Sequence, residues 1–285
     1  MREFEYLRPE TVEEAVALRQ KHQGCSVLLN GGTDVIIQLR DHLIAPEFVI
    51  DIKHIPGLKK LAFKKGEGLY IGACVTLNEL GDHEDVRKYY PFLREAAYSV
   101  GSKQVRNRAT LVGNIVNASP LCDTGTPLYV CEAKVRIVGG KGEREVPINE
   151  FITFVRRTSL QPDEIVVGIK VPYNEGAEGI FTKISRRKEV DLSTICATVL
   201  KLGDSIRIAF GAVAPTPIRL LKTEALLSGK QLTSELIEEA AKLTRTEVSP
   251  ISDVRASKEY RYDVVEVTVR RSLEQLLQGG AYHEI

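Results

Sequence analysis

The sequence has no CxxC pair, and its cysteines, at positions 25, 74, 122, 131 and 196, are odd in number. This argues against a disulfide framework, a zinc ribbon or a four-cysteine iron–sulfur cluster, and it fits a reducing compartment. Histidines 22, 42, 54, 83 and 283 are scattered, with no HExxH or HxxxH spacing, so the usual metal-ligand patterns are missing. No GxSxG elbow, Walker loop or GxGxxG fingerprint occurs, and most familiar enzyme signatures are thereby absent. No apolar run approaches the roughly 20 residues of a membrane span. The 39 basic and 38 acidic residues leave a net charge of +1, which gives no global pull toward nucleic acid or an acidic membrane. The first residues, Met1 to Tyr6, carry two acids and no apolar core, so neither secretion nor organelle import is indicated. A cytoplasmic protein is expected.

What is present is an ordinary globular composition, 43% hydrophobic and 27% charged, over 285 residues, enough for about two domains. The pattern predicts an α+β fold. Residues 3–7 read as a strand. Thr11 and Glu14 then form a capping-box signature for a helix that Gly24 ends. A buried strand at 26–29, a helical turn at 35–39 and a strand at 48–52 complete a small unit over residues 1–55. Beyond it, strands are expected on either side of a turn at 65–68, with a helix capped by Thr76 and another over 89–100. Further strands are expected at 133–138 and 164–171, and a linker at Asn174–Gly179. The last third predicts a hairpin of strands 195–202 and 205–212 around Gly203-Asp204. Helices near 219–228, 233–246 and 258–278 follow.

Three stretches carry chemistry. In Leu29-Asn30-Gly31-Gly32-Thr33-Asp34, glycines let backbone N–H groups converge on an anion and Thr33 offers a hydroxyl. The plain alternative is a tight turn with Asp34 as a helix cap. The stretch Thr110 to Asp123 sets Asn114 and Asn117 three residues apart in an apolar frame with Gly113. Asp123 there is a candidate acceptor for sugar hydroxyls, and a buried polar loop is the alternative. Lys183 to Lys188 packs four cations into six residues, suited to a flavin or phosphates, or to a solvated edge strand. Cys122 has no histidine nearby in sequence and reads as a packing residue.

Together the two glycine motifs resemble those of the FAD-binding subunits of molybdenum hydroxylases. That family includes the medium subunit of carbon monoxide dehydrogenase and the FAD subunit of bacterial xanthine dehydrogenase. Asn30–Asp34 resembles its AGGTDL motif. Thr110–Asp123 resembles its second motif, with Val112 in place of the first glycine of the usual pair. The similarity extends to Ile71-Gly72-Ala73 with Thr76, Glu164-Ile165 before Pro172, and Lys183 with Arg186-Arg187. It covers essentially the whole chain.

The resemblance implies a vanillyl-alcohol-oxidase (PCMH) type FAD-binding domain at 1–175, of two α+β subdomains (about 1–55 and 56–175). A C-terminal domain of three-stranded antiparallel sheet with helices is implied at 178–282. By the same resemblance, Leu29, Asn30, Gly31, Gly32, Thr33 and Asp34 would cradle the FAD pyrophosphate. Ala109, Thr110, Gly113 and Asn114 would hold the diphosphate and ribityl region. Val116 would pack on the adenosine side and Asp123 would bind adenosine hydroxyls. Ile71 would line the cleft, Val166 or Val167 would pack near the flavin, and Lys183 would sit at its pyrimidine edge. No side chain is implied as a catalytic acid, base or nucleophile. One branch of the family, the 4-hydroxybenzoyl-CoA reductases, carries an inserted cluster-binding segment that this chain lacks, so no metal or cluster of its own is expected. The implied partners are a [2Fe–2S] subunit, a molybdopterin-containing large subunit and NAD or another acceptor, in a heterohexamer with two copies of each subunit. The implied substrate is a purine (xanthine-type) or other N-heterocycle, with carbon monoxide or an aldehyde as alternatives. A stand-alone flavin oxidoreductase and a non-enzymatic assembly protein are the competing readings.

Overall fold

The computed structural model describes residues 2–279. The chain begins with β1 (Glu5–Leu7), α1 (Val12–Lys21), β2 (Ser26–Leu29), α2 (Val35–Arg40) and β3 (Phe48–Asp51). The three strands form a parallel sheet in the order β1-β3-β2. Thr11 caps α1 by accepting from the Glu14 N–H at 3.1 Å. Glu14 reaches back to the N–H of Glu10 rather than of Thr11, so the expected reciprocal box is displaced by one residue.

Next come β4 (Leu61–Lys64), β5 (Gly68–Gly72), α3 (Leu77–Asp82), α4 (Glu84–Tyr89), α5 (Pro91–Tyr98), α6 (Lys103–Arg106), α7 (Leu111–Val116) and α8 (Gly125–Val130). They are followed by β6 (Lys134–Gly139), β7 (Gly142–Pro147), α9 (Ile148–Phe151), β8 (Ile152–Phe154), β9 (Arg157–Thr158) and β10 (Ile165–Pro172). Five of these strands build an antiparallel sheet, β4-β5-β10-β6-β7, while β8 and β9 pair as a separate hairpin. The full capping box of this region is at Thr76 and Glu79, which exchange side-chain and backbone bonds across the first turn of α3. The helix expected over 89–100 is α5, and α4 is a further helix before it that ends at Tyr89. Pro91 lacks the N–H needed to extend α4 and instead occupies the first turn of α5. The Thr110–Asp123 stretch is not simply a polar loop: α7 occupies its first half.

The last third holds β11 (Glu178–Ile184), β12 (Ile195–Leu202), β13 (Ser205–Gly211), β14 (Ile218–Arg219), α10 (Leu221–Leu227), α11 (Ser234–Leu243) and α12 (Lys258–Leu277). The expected three long antiparallel strands are present, and the two-residue β14 adds a short fourth at the edge. β11 begins at Glu178, inside the stretch read as a linker. Residues 280–282 of the expected C-terminal domain lie outside the described residues, as does His283.

β12 is buried on both faces, so its alternation sorts residues between two cores rather than between core and water. Ile195, Ala197 and Val199 join a core with Leu227, Ile237, Val265 and Leu273 from α10, α11 and α12. Leu200 belongs instead to the large core of the first 172 residues, with Ile71, Leu111, Leu128 and Ile169.

Candidate FAD-binding site

The two glycine motifs, about 80 residues apart in sequence, are in contact. The Asn30 side-chain amide donates to the Ala73 carbonyl at 2.6 Å and to Thr110 Oγ1 at 3.0 Å. Thr110 Oγ1 also caps α7, accepting from the Gly113 N–H at 2.9 Å. A Cβ on Gly31 would overlap the Arg108 carbonyl oxygen, so only glycine lets the two backbones meet here. Gly32, at φ +81°, turns the chain out of β2 and into α2. Val112 is helical and buried within α7, so this position has no need of the missing glycine.

The loop opens on a groove of about 340 Å³ lined by Leu29, Gly31, Gly32, Thr33, Ile36, Ile37, Lys53 and Arg108. Among the described residues, no acceptor meets the backbone N–H groups of Gly31, Gly32 and Thr33. Asn30 Oδ1 is buried without a partner. Free N–H groups, a threonine hydroxyl and two cations form a donor set that fits a diphosphate. Asp34 is not a side-chain helix cap. Its carboxylate accepts from Asn117 Nδ2 at 3.0 Å, and the Asn117 carbonyl oxygen accepts from Arg156. Asn114 and Asn117 therefore do not converge on one point. Asn114 Oδ1 accepts from Thr124 at 2.7 Å and from the Cys122 thiol at 3.0 Å.

A second cluster lies where β11 meets the first domain. Lys183 Nζ sits 2.7 Å from Asp123 Oδ2 and 2.8 Å from the Ser99 carbonyl, and Ser193 donates to the other Asp123 oxygen. Burial pushes the Asp123 carboxyl above the usual carboxylate range, against the pull of Lys183 and Ser193. The two residues are one ion pair, so they cannot serve the adenosine end and the flavin end of an extended cofactor separately. Lys183 is not part of a solvated basic edge, unlike Arg187 and Lys188, which are exposed. Burial also pushes the Cys122 thiol up to about 12, which leaves it protonated and packed.

Ile71 has no exposed surface and pairs with Leu61 and Ile169 inside the five-stranded sheet. It is a core residue, and a ligand could not touch it without rearrangement. Val166 and Val167 are nearly buried at a bulge in β10, where the Val167 carbonyl accepts from Ala73 N–H and Tyr70. Ala109 is nearly buried behind the Gly31 contact and Val116 is half-buried on α7. Lys53, Arg108, Ser99 and Ser193 have no motif of their own. The one sequence signal beside Arg108 is the run of cations that it closes, Lys103, Arg106 and Arg108. Among the described residues, no group of three or more His, Cys, Asp or Glu side chains is placed to hold a metal ion.

The sequence model for the FAD-binding domain in molybdopterin dehydrogenase matches residues 2–174. The chain belongs to this FAD-binding family. The model for the CO dehydrogenase flavoprotein C-terminal domain matches residues 180–276. The flavoprotein is 33% identical over 282 residues to a xanthine dehydrogenase FAD-binding subunit of Escherichia coli, covering 96% of both chains. It is 34% identical over 276 residues to the carbon monoxide dehydrogenase medium chain of Hydrogenophaga pseudoflava, covering 95% of this chain and 96% of that one. A solved carbon monoxide dehydrogenase from the same organism, lacking the Mo-pyranopterin moiety, superposes with a TM-score of 0.90 over 96% of each chain at 33% identity. The expected FAD-binding domain and flavoprotein C-terminal domain are thus both present, and FAD is the cofactor. The chain is the medium, FAD-carrying subunit of a molybdenum-hydroxylase-type oxidoreductase.

Proposed function

We propose that this flavoprotein takes electrons from a [2Fe–2S] subunit and passes them to NAD or another acceptor while a molybdopterin-containing large subunit oxidises a xanthine-type purine or other N-heterocycle. Full-length similarity to a xanthine dehydrogenase FAD-binding subunit carries this reading. Similarity to a carbon monoxide dehydrogenase medium chain supports carbon monoxide as the second reading. Bound FAD supplies a group that exchanges electrons singly or in pairs. The chain's task is to bind it, orient it and set its electrostatic surroundings. In this reading Leu29–Asp34, Thr110, Gly113 and Asn114 hold the pyrophosphate and ribityl region, and Val116 packs nearby. The Asp123–Lys183 pair stands as a unit at the flavin end, and Val166 or Val167 packs near the flavin. The FAD domain ends near residue 175 and the C-terminal domain starts near 178. The complex carries two copies of each subunit and works in the cytoplasm.

The test begins with the visible spectrum of the purified chain, and of the complex it co-purifies with, after incubation with FAD and desalting. Retained flavin bands support the reading. A complex-bound chain without flavin sinks it. Bleaching of the flavin band by xanthine, and not by carbon monoxide, selects the N-heterocycle reading; the reverse selects the second.

A further inference from the structure

We propose that Arg108, with Lys53 beside it in the groove, neutralises the cofactor's pyrophosphate and so makes the site select FAD over riboflavin, which carries no phosphate. The inference rests on the FAD reading above and names the side chains that its glycine motifs leave out. Those motifs offer backbone N–H dipoles, which bear only partial charge, whereas a diphosphate brings about two negative charges.

Among the residues lining the groove, the charged ones are Lys53 and Arg108; the rest are apolar or neutral. Their situations differ. Lys53 Nζ is 2.7 Å from Asp51 Oδ2, and Asp51 is itself fixed by the Tyr6 hydroxyl and the Lys53 N–H. The Lys53 charge is thus offset on the spot, and its remaining protons are held at the groove wall as donors. Arg108 has no such counter-ion: among the described residues its guanidinium meets no hydrogen-bond or ion-pair partner. Its main chain is nevertheless pinned, because the Arg108 carbonyl abuts Gly31. The root of the side chain is therefore fixed beside the loop while its head is uncommitted. Arg106, two residues earlier, shows the contrast: its guanidinium is spent on the carbonyls of Val100 and Gly101 and on Asn78. A planar guanidinium with free donors is the side chain best matched to phosphate oxygens. Arg108 supplies net charge and Lys53 a positioned donor.

The experiment titrates the purified full-length chain with FAD, FMN and riboflavin at several salt concentrations. The comparison set is Arg108→Ala, Arg108→Lys, Lys53→Ala and, as control, Arg271→Ala, exposed on α12. Arg108→Ala is expected to weaken FAD by about tenfold or more, flatten the salt dependence and leave riboflavin unchanged. Arg108→Lys falls between. ADP displaces FAD from wild type and competes less well in Arg108→Ala. Unchanged FAD affinity and salt dependence in Arg108→Ala overturn the proposal. Equal weakening of riboflavin also overturns it, since that signals a general loss of structure. Arg108→Gln, checked by thermal melting, repeats the reading if the alanine variant folds poorly. Wild-type chain that binds no FAD, alone or in its complex, overturns the parent reading instead.

Discussion

Glu95 is the residue whose environment makes the clearest solution prediction. It lies on α5, and burial pushes its carboxyl up to about 7. A raised folded pKa means that the folded chain binds this proton more tightly than the unfolded chain does. Stability from this group therefore falls as pH rises from the ordinary glutamate range, near 4.5, through about 7. Glu95→Gln should raise the Tm by about 3 °C at pH 8 and have little effect at pH 4.5. Melting curves across this range would show a constant offset if burial of the carboxylate were not the cause. At the same scale, Asn30 and Thr110 show what a motif can hide. Each matches the family pattern as a cofactor residue, yet their hydrogen bonds first join the two loops to one another.

Among the elements, the β8–β9 hairpin has a role that its sequence does not suggest. Arg156, at φ +58° in its turn, donates its N–H to the Ala118 carbonyl and its guanidinium to Asn117. Asn117, closing α7, passes the connection to Asp34 at the start of α2. Three short elements are thus clasped around the glycine loop. The groups are exposed, so each of Asn117→Ala and Arg156→Ala should cost less than about 1 kcal/mol of global stability. The clasp should still matter locally, and hydrogen exchange at residues 33–36 should speed up in either variant, with no further change in the double variant. An effect confined to the hairpin would break the link. The elements most legible in the sequence, α1, β2, β3, β10 and α12, have strong periodicity or clear caps. The helices from α6 to α8 were harder to read, because they are four to six residues long and helix propensity alone does not sustain that length. Their tertiary setting does.

At the scale of the molecule, the C-terminal sheet is covered on both faces. Helices α10 to α12 pack on one side, and α5 and α8 of the first domain pack on the other. Polar pins cross that second boundary. Thr126 and Thr198 hydroxyls meet at 2.8 Å, Arg207 donates to the Val130 carbonyl at 3.0 Å, and Lys183 pairs with Asp123 at 2.7 Å. The last pair is nearly dry, so removing one partner strands the other. Lys183→Met should cost about 3 kcal/mol or more in urea unfolding. The double variant with Asp123→Asn should recover much of that loss, because no lone charge remains buried. An additive double variant would show that the pair carries no coupling.

The sequence by itself determined the α+β class, the family and the cofactor. Glycine spacing, the Asn-rich second motif and the strand alternation are local patterns imposed by backbone approach and by period-two burial. Only the tertiary structure decided how the motif residues divide. It made Ile71 core, because both neighbouring strands close over it. It joined Asp123 to Lys183 across 60 residues and brought Lys53 and Arg108 to one groove. These outcomes depend on which strands pair and where the chain returns. Side-chain charge acts over a few ångströms in space, and separation along the sequence does not record that distance.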